Sequence, residues 1–216
     1  MSNAYCKPIS WRFTLGLFLF CIALFSYLHW TPAFADPDAF YHAKIAAMMV
    51  EGKDSVKEFP WLPLTSLGDS YIDHQLLYHI LLAPFVAFLP PLVGIKVATV
   101  LFASLFITFF VWLLLNNLQP TTYNLQPTLI ALFLLLFLTC APFIFRLSLA
   151  KTSAVSLLFF FLALYCILST RLLALGILSF LYVWLYGGWP LVLVASGTYW
   201  LTSAFFREVC GDQKVE

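Results

Sequence analysis

Residues 13–52 read FTLGLFLFCIALFSYLHWTPAFADPDAFYHAKIAAMMVEG, and two opposite physical demands meet inside them. Positions 13–34 hold no Asp, Glu, Lys or Arg. A run of about 20 mostly apolar residues is what a helix needs to cross the hydrocarbon core of a bilayer. Lys7 and Arg12 precede it, and positive charge before a first span places the N-terminus in the cytoplasm. The run ends in His29-Trp30, an interfacial pair. Ala33-Phe34-Ala35 has the A-x-A shape of a signal-peptide cleavage site. The apolar core is long for a signal peptide and more apolar runs follow, so the expectation is an uncleaved first helix. On either reading the residues after Ala35 lie outside the cytoplasm.

Further apolar runs follow at 76–90, 94–115, 128–145, 153–169, 172–187 and 190–206. Residues 116–127 (NNLQPTTYNLQP) form a polar loop, Arg146 to Lys151 a short basic connection, and Gly187-Gly188-Trp189-Pro190 a tight turn. Of 216 residues, 62% are hydrophobic and 10% charged. Soluble domains carry roughly 45–50% apolar and 25% charged residues, which excludes a water-soluble globule. The acids are segregated as well. Seven of the ten lie from Asp36 to Asp73, three from Glu208 onward, and none in 74–207. The fold class is therefore expected to be all-α, a polytopic membrane protein of six to seven transmembrane helices with a helical first external loop. The chain 1–216 reads as one membrane domain: first span 13–34, external loop with an embedded helix 35–93, remaining spans 94–206, and tail 207–216. It also suits the N-terminal module of a larger enzyme.

The run at 76–90 decides between six and seven. Pro84, Pro90 and Pro91 interrupt it. His74, Gln75, Tyr78 and His79 share an arc of about 140° on a helical wheel, opposite Leu76, Leu77 and Ile80. Such a stripe suits an interface or a protein-lined cavity better than lipid. Six spans leave Arg171, Arg207 and Lys214 inside, whereas seven favour Lys96, Arg146 and Lys151, so charge counting leaves both open.

Several function classes are absent from the sequence. Net charge is +1, which gives no long-range attraction for nucleic acid. The five cysteines are scattered, with no CxxC or Cys/His spacing, and no GxGxxG, Walker, HExxH or GxSxG motif occurs. Chemistry concentrates in 36–52. Asp36, Pro37 and Gly52 spell a helix with an N-cap Asp, a first-turn Pro and a terminal Gly. Asp36 as a cap and Asp38 as a complement to the helix dipole would account for both acids. The same placement, beside the membrane and with Asp38 and His42 at i,i+4 on one face, also suits ionised carboxylates that hold a divalent cation or take a proton. Asp73, His74 and His79 close the loop on the same face of the membrane.

The order of these features resembles the C-type membrane glycosyltransferases, most of all the N-terminal part of oligosaccharyltransferase catalytic subunits of the Stt3, AglB and PglB type. DPDAFYHAK approximates their D-P-x-x-Y-x-x-R motif through Asp36, Pro37, Tyr41 and Lys44. Phe145 to Leu149 falls where the family has an arginine-serine loop, and 182–190 is similar to its aromatic turn. The resemblance implies sugar transfer at the outer membrane face from a polyprenyl-phosphate-type donor, in contact with membrane lipid and with a second subunit as a further partner. Asp36 would be catalytic base or ligand to a divalent cation, Mg or Mn, with Asp38 beside it. His42, Lys44, Asp73, His74 and His79 would line the substrate pocket, and Arg146 and Lys151 would lie near the donor phosphates. Where those relatives carry a second acidic pair, this chain has Ser153 and Val155. The rival reading is a non-catalytic membrane subunit, a lipid-binding protein or a truncated remnant of such an enzyme. A secondary transporter fits less well, because no acid lies within a span after the loop and no repeat is seen.

Overall fold

Pro91 opens the longest helix of the chain, and most of the other elements pack around that helix. The computed structural model describes residues 10–52, 64, 71–117, 132, 135–136 and 139–211. Lys7, most of 59–70, the polar loop beyond Asn117, most of 128–138 and the tail 212–216 lie outside the described residues. Among the described residues the fold is all-α, with eight helices and no strand. They are α1 (Trp11–Leu28), α2 (Asp38–Val50), α3 (Leu76–Phe88), α4 (Pro91–Asn117), α5 (Ala141–Leu147), α6 (Ser153–Leu168), α7 (Leu172–Leu185) and α8 (Pro190–Gly211).

The helix ends follow local chemistry. The first apolar run stops being helical at Leu28 rather than at 34. Pro32 supplies no N–H and keeps the residue before it out of the helical region. α2 ends at Val50, and Gly52 follows at φ +74°, the left-handed conformation that a residue without Cβ adopts freely. Pro84 is carried inside α3 rather than ending it. The carbonyl that it leaves without a helical partner belongs to Ile80, whose side chain is exposed.

Among the described residues two helices are long and apolar enough to cross a membrane: α1 and the Pro91–Leu115 part of α4. α3, α6, α7 and Pro190–Phe206 of α8 are apolar but shorter. At 1.5 Å per residue a 16-residue helix such as α6 reaches about 24 Å, against about 30 Å of hydrocarbon. Length and composition thus single out two spanning helices, where six to seven were expected.

α4 packs against α1, α2, α3 and α6, and α6 in turn carries α5, α7 and α8. Small buried residues on α4 (Ala98, Thr99, Ala103, Ser104) admit the neighbouring helices closely. The Thr99 and Ser104 hydroxyls donate within the helix to the Ile95 and Val100 carbonyls, each at 2.7 Å, so neither is an unsatisfied polar group. One turn deeper the packing becomes aromatic. Phe161 of α6 meets Phe110 edge to face at 4.9 Å and Phe106 at 5.6 Å. α1 is peripheral by comparison, with Cys21 and Phe25 its only fully buried residues.

The α3–α4 corner is the tightest approach. A Cβ on Gly94 would lie 2.8 Å from the Phe85 carbonyl oxygen and 2.9 Å from its carbon, both backbone atoms that cannot rotate away. Gly94→Ala is therefore expected to destabilise the protein by about 1–3 kcal/mol. A lowered Tm in detergent, compared with an Ala substitution at the open Gly16, checks this.

Candidate functional site

Lys96 begins the construction of the site. Its ammonium, near the start of α4, donates to the Thr31 carbonyl and to the Ala33 carbonyl at 3.2 Å, and lies 4.6 Å from the Phe34 ring centroid. Those contacts tie the segment that follows α1 to the head of α4. Asp36 comes next in the chain. Its Oδ1 accepts the Asp38 backbone N–H at 2.9 Å, but Pro37 rather than Asp36 takes the N-cap position and no side chain caps α2, because the helix starts one residue later than the sequence anticipates.

The other carboxylate oxygen of Asp36, Oδ2, meets Lys151 Nζ at 2.6 Å, and Asp38 Oδ2 meets the same ammonium at 2.7 Å. Lys151 sits on the turn between α5 and α6, where its N–H donates to the Leu149 carbonyl at 2.8 Å. The Lys151 hydrogen bond, followed by that from the Asp38 amide, holds the Asp36 carboxyl below its ordinary range. The two aspartates hold the Lys151 ammonium above its own. Asp36 and Lys151 are accordingly ionised at neutral pH.

Behind this ion cluster a second polar chain runs inward. Asp73 Oδ1 accepts the Gln75 backbone N–H at 2.9 Å, and Oδ2 accepts from His79 Nδ1 at 2.6 Å. His79 Nε2 in turn lies 2.9 Å from Nδ1 of His42. A carboxylate only accepts, so with both imidazoles neutral the protons run one way: His79 is the Nδ1–H tautomer and His42 donates from Nδ1. His79 and His42 are buried, α3 supplying one and α2 the other. Burial first, and the repulsion between two protonated imidazoles second, push the His42 pKa down to about 3. Aromatic rings wall this pair. Tyr78 meets His42 edge to face at 5.0 Å, and Tyr41 meets His79 at 5.7 Å. The Tyr41 and Tyr71 hydroxyls bond to each other, and burial raises the pKa of both. The Tyr78 hydroxyl is buried with no hydrogen-bond partner among the described residues.

Of the residues expected from sequence, Asp36, Asp38 and Lys151 form one cluster and His42, His79 and Asp73 form the other. Lys44, His74 and Arg146 have exposed side chains. Sequence reasoning missed Tyr71 and the anchoring role of Lys96. A lone lysine in an otherwise apolar helix was a usable signal for Lys96, whereas nothing local marks Tyr71 as the partner of a tyrosine thirty positions earlier.

The divalent cation implied by the resemblance needs several carboxylate or imidazole ligands. Among the described residues no three His, Cys, Asp or Glu side chains are arranged to hold a metal ion. Both aspartates at the ion cluster close on an ammonium instead, Ser153 begins α6, and Val155 is buried in the apolar core. The residues present do not make up that cage. No family model, curated protein or solved structure matches the chain.

The buried imidazole pair has a thermodynamic consequence. His42 binds a proton near pH 6.5 when unfolded but only near pH 3 when folded. The unfolded state therefore carries more protons between these values, and stability is lost as pH falls through that window. Asp38 and Asp73 favour its proton, while His79 and Lys151 oppose it. Lowering pH from 7 to 5 is expected to cost on the order of 1–2 kcal/mol. Thermal unfolding across that range, with a smaller slope in His42→Asn, is the measurement.

Proposed function

We propose that the chain is a polytopic membrane protein of the glycosyltransferase type, moving a sugar from a polyprenyl-phosphate-type donor to a hydroxyl acceptor at the outer membrane face. The observation that carries this reading is the contact of Lys151 with Asp36 and Asp38 at 2.6 and 2.7 Å. It joins the acidic loop after α1 to the α5–α6 turn. A base and a cation for a phosphate would then share one site, although they come from distant parts of the chain.

The same contact favours six spans over seven. Lys96 holds the head of α4 against the segment after α1, so α4 starts on the face where α1 ends. The chain leaves that face along α4 and is back at Lys151. On this reading α1, α4, the 128–145 run, α6, α7 and α8 cross the membrane, and α3 is the embedded helix. Its polar residues His79 and Tyr78 are turned into protein and not toward lipid, which suits that role.

Chemically, Asp36 would take the proton of the acceptor hydroxyl as its oxygen bonds to the anomeric carbon, while the phosphate leaves with the electron pair of the broken C–O bond. Asp38 and Lys151 keep the Asp36 carboxylate ionised and oriented. Lys151 also offers positive charge to the departing phosphate. The Asp73–His79–His42 chain holds α2 against α3 behind the carboxylates.

Asp36→Ala is expected to lower sugar transfer by at least about 100-fold, the usual contribution of a positioned base. Membranes supplied with labelled polyprenyl-linked sugar measure it. Transfer at the wild-type rate in Asp36→Ala would remove Asp36 as base, and donor binding without any turnover by the wild type would favour a non-catalytic lipid-binding subunit. In a cysteine-free background, Ser148→Cys is expected to label from outside and Gly211→Cys to be protected. The reverse pattern would refute the six-span arrangement.

A further inference from the structure

We propose that the Lys151 ammonium stands in for a divalent cation at the Asp36–Asp38 pair, so that the site works without metal and becomes a metal site when Lys151 is removed. The clause about catalysis rests on the glycosyl-transfer reading; the clause about metal binding does not.

The inference starts from the occupancy of the four carboxylate oxygens. Asp36 Oδ1 is taken by the Asp38 backbone N–H, Asp36 Oδ2 by Lys151 Nζ, and Asp38 Oδ2 by the same Nζ. Three of the four are thus engaged, and the fourth alone cannot supply the six or so oxygen ligands that a hard divalent cation gathers. With Lys151 in place, other anionic ligands nearby would have to make up the shortfall. Ser153 and the buried Val155 occupy the adjoining start of α6, and neither is an anionic ligand.

Charge points the same way. Two carboxylates beside one ammonium leave a single net negative charge, too little to draw in a doubly charged ion that must also sit next to Lys151. Asp36 and Lys151 hold each other in the ionised form, since Lys151 lowers the Asp36 pKa and both aspartates raise that of Lys151. An entering metal would have to displace an ammonium that is partly shielded, with 28% of its side chain exposed. Removing the ammonium reverses every element of this balance. The two carboxylates would then carry two uncompensated charges, brought together by the turn at the start of α2.

An ammonium has three N–H donors. Two point at Asp36 and Asp38, and the third has no partner among the described residues. That donor is free for one anionic oxygen, such as that of a leaving phosphate. Neutralisation of the leaving group, elsewhere a task for bound metal, would then come from Lys151 with no exchangeable ion.

The test uses the full chain in neutral phosphatidylcholine nanodiscs, whose headgroups carry no net charge to compete for cations. Mn2+ binding is read by electron paramagnetic resonance, alone and with excess Mg2+. Wild type and Lys151→Arg are expected to show no stoichiometric bound Mn2+, whereas Lys151→Ala and Lys151→Met bind one ion at least about tenfold more tightly than wild type. Asp36→Ala added to Lys151→Met is expected to abolish that binding. One tightly bound Mn2+ in wild type that is lost in Asp36→Ala would overturn the proposal. Folded Lys151→Met that binds no better than wild type would overturn it equally, and the wild-type arm stands even if both neutral variants fail to fold. Where transfer is measurable, chelation by EDTA is expected to leave the wild-type rate unchanged. A rate that falls on chelation would refute the metal-free site while leaving the sugar-transfer reading intact.

Discussion

A single ammonium group, Nζ of Lys151, holds together two parts of the chain that lie far apart in sequence. It satisfies one oxygen on Asp36 and one on Asp38, and through them it docks the α5–α6 turn onto the head of α2. Ion pairs on a protein surface are usually worth little, because water screens them and long side chains lose entropy in forming them. Here the value lies in placement. The Asp36 carboxylate is already oriented by the Asp38 amide N–H that it accepts. The lysine backbone is pinned in a turn between two helices. Little freedom remains to be lost when the contact forms.

The surroundings of that contact explain why the second polar cluster is built as it is. His42 follows Asp38 by one helical turn and points into the protein, where an isolated polar group would be costly. Its Nδ1 finds His79, and His79 finds Asp73, so the burden of burial ends on a carboxylate that keeps some contact with solvent. Tyr41 and Tyr78 fill the remaining sides with ring edges and faces. The arrangement couples α2 to α3, and α4 supports both. Lys96 contributes from the opposite side by fixing the strand of chain that delivers Asp36. Three short-range polar arrangements thus converge on a few residues of the loop after α1, while the rest of the molecule is held mainly by apolar packing.

Helix positions were largely legible before the structure. The runs at 153–169, 172–187 and 190–206 correspond to α6, α7 and α8, and the signature at 36–52 to α2 with its terminal Gly52, although Pro37 and not Asp36 takes the N-cap position. Those features depend on neighbours a few residues away, which composition and spacing report directly. The end of α1 was misplaced because an apolar run continues past Leu28 through Pro32, and hydrophobicity says nothing about a missing N–H. Within the candidate site, concentration of acids and histidines in one loop drew attention to residues that the fold brings together. It did not separate Asp36, Asp38, His42, Asp73 and His79 from exposed Lys44 and His74.

The amino-acid sequence by itself determined that this is a helical chain with apolar runs long enough for a bilayer and one acidic loop, because apolar length and charge segregation are properties of consecutive residues. Only the tertiary structure decided which basic group faces the acids. Arg146 and Lys151 are five positions apart with the same sign of charge, yet Lys151 alone reaches the carboxylates. The reason is geometric: α5 ends at Leu147 and turns before α6 starts at Ser153, and the packing of α6 on α4 carries that turn, with Lys151 on it, to the head of α2. No local pattern encodes the meeting of surfaces that are joined only through a third helix.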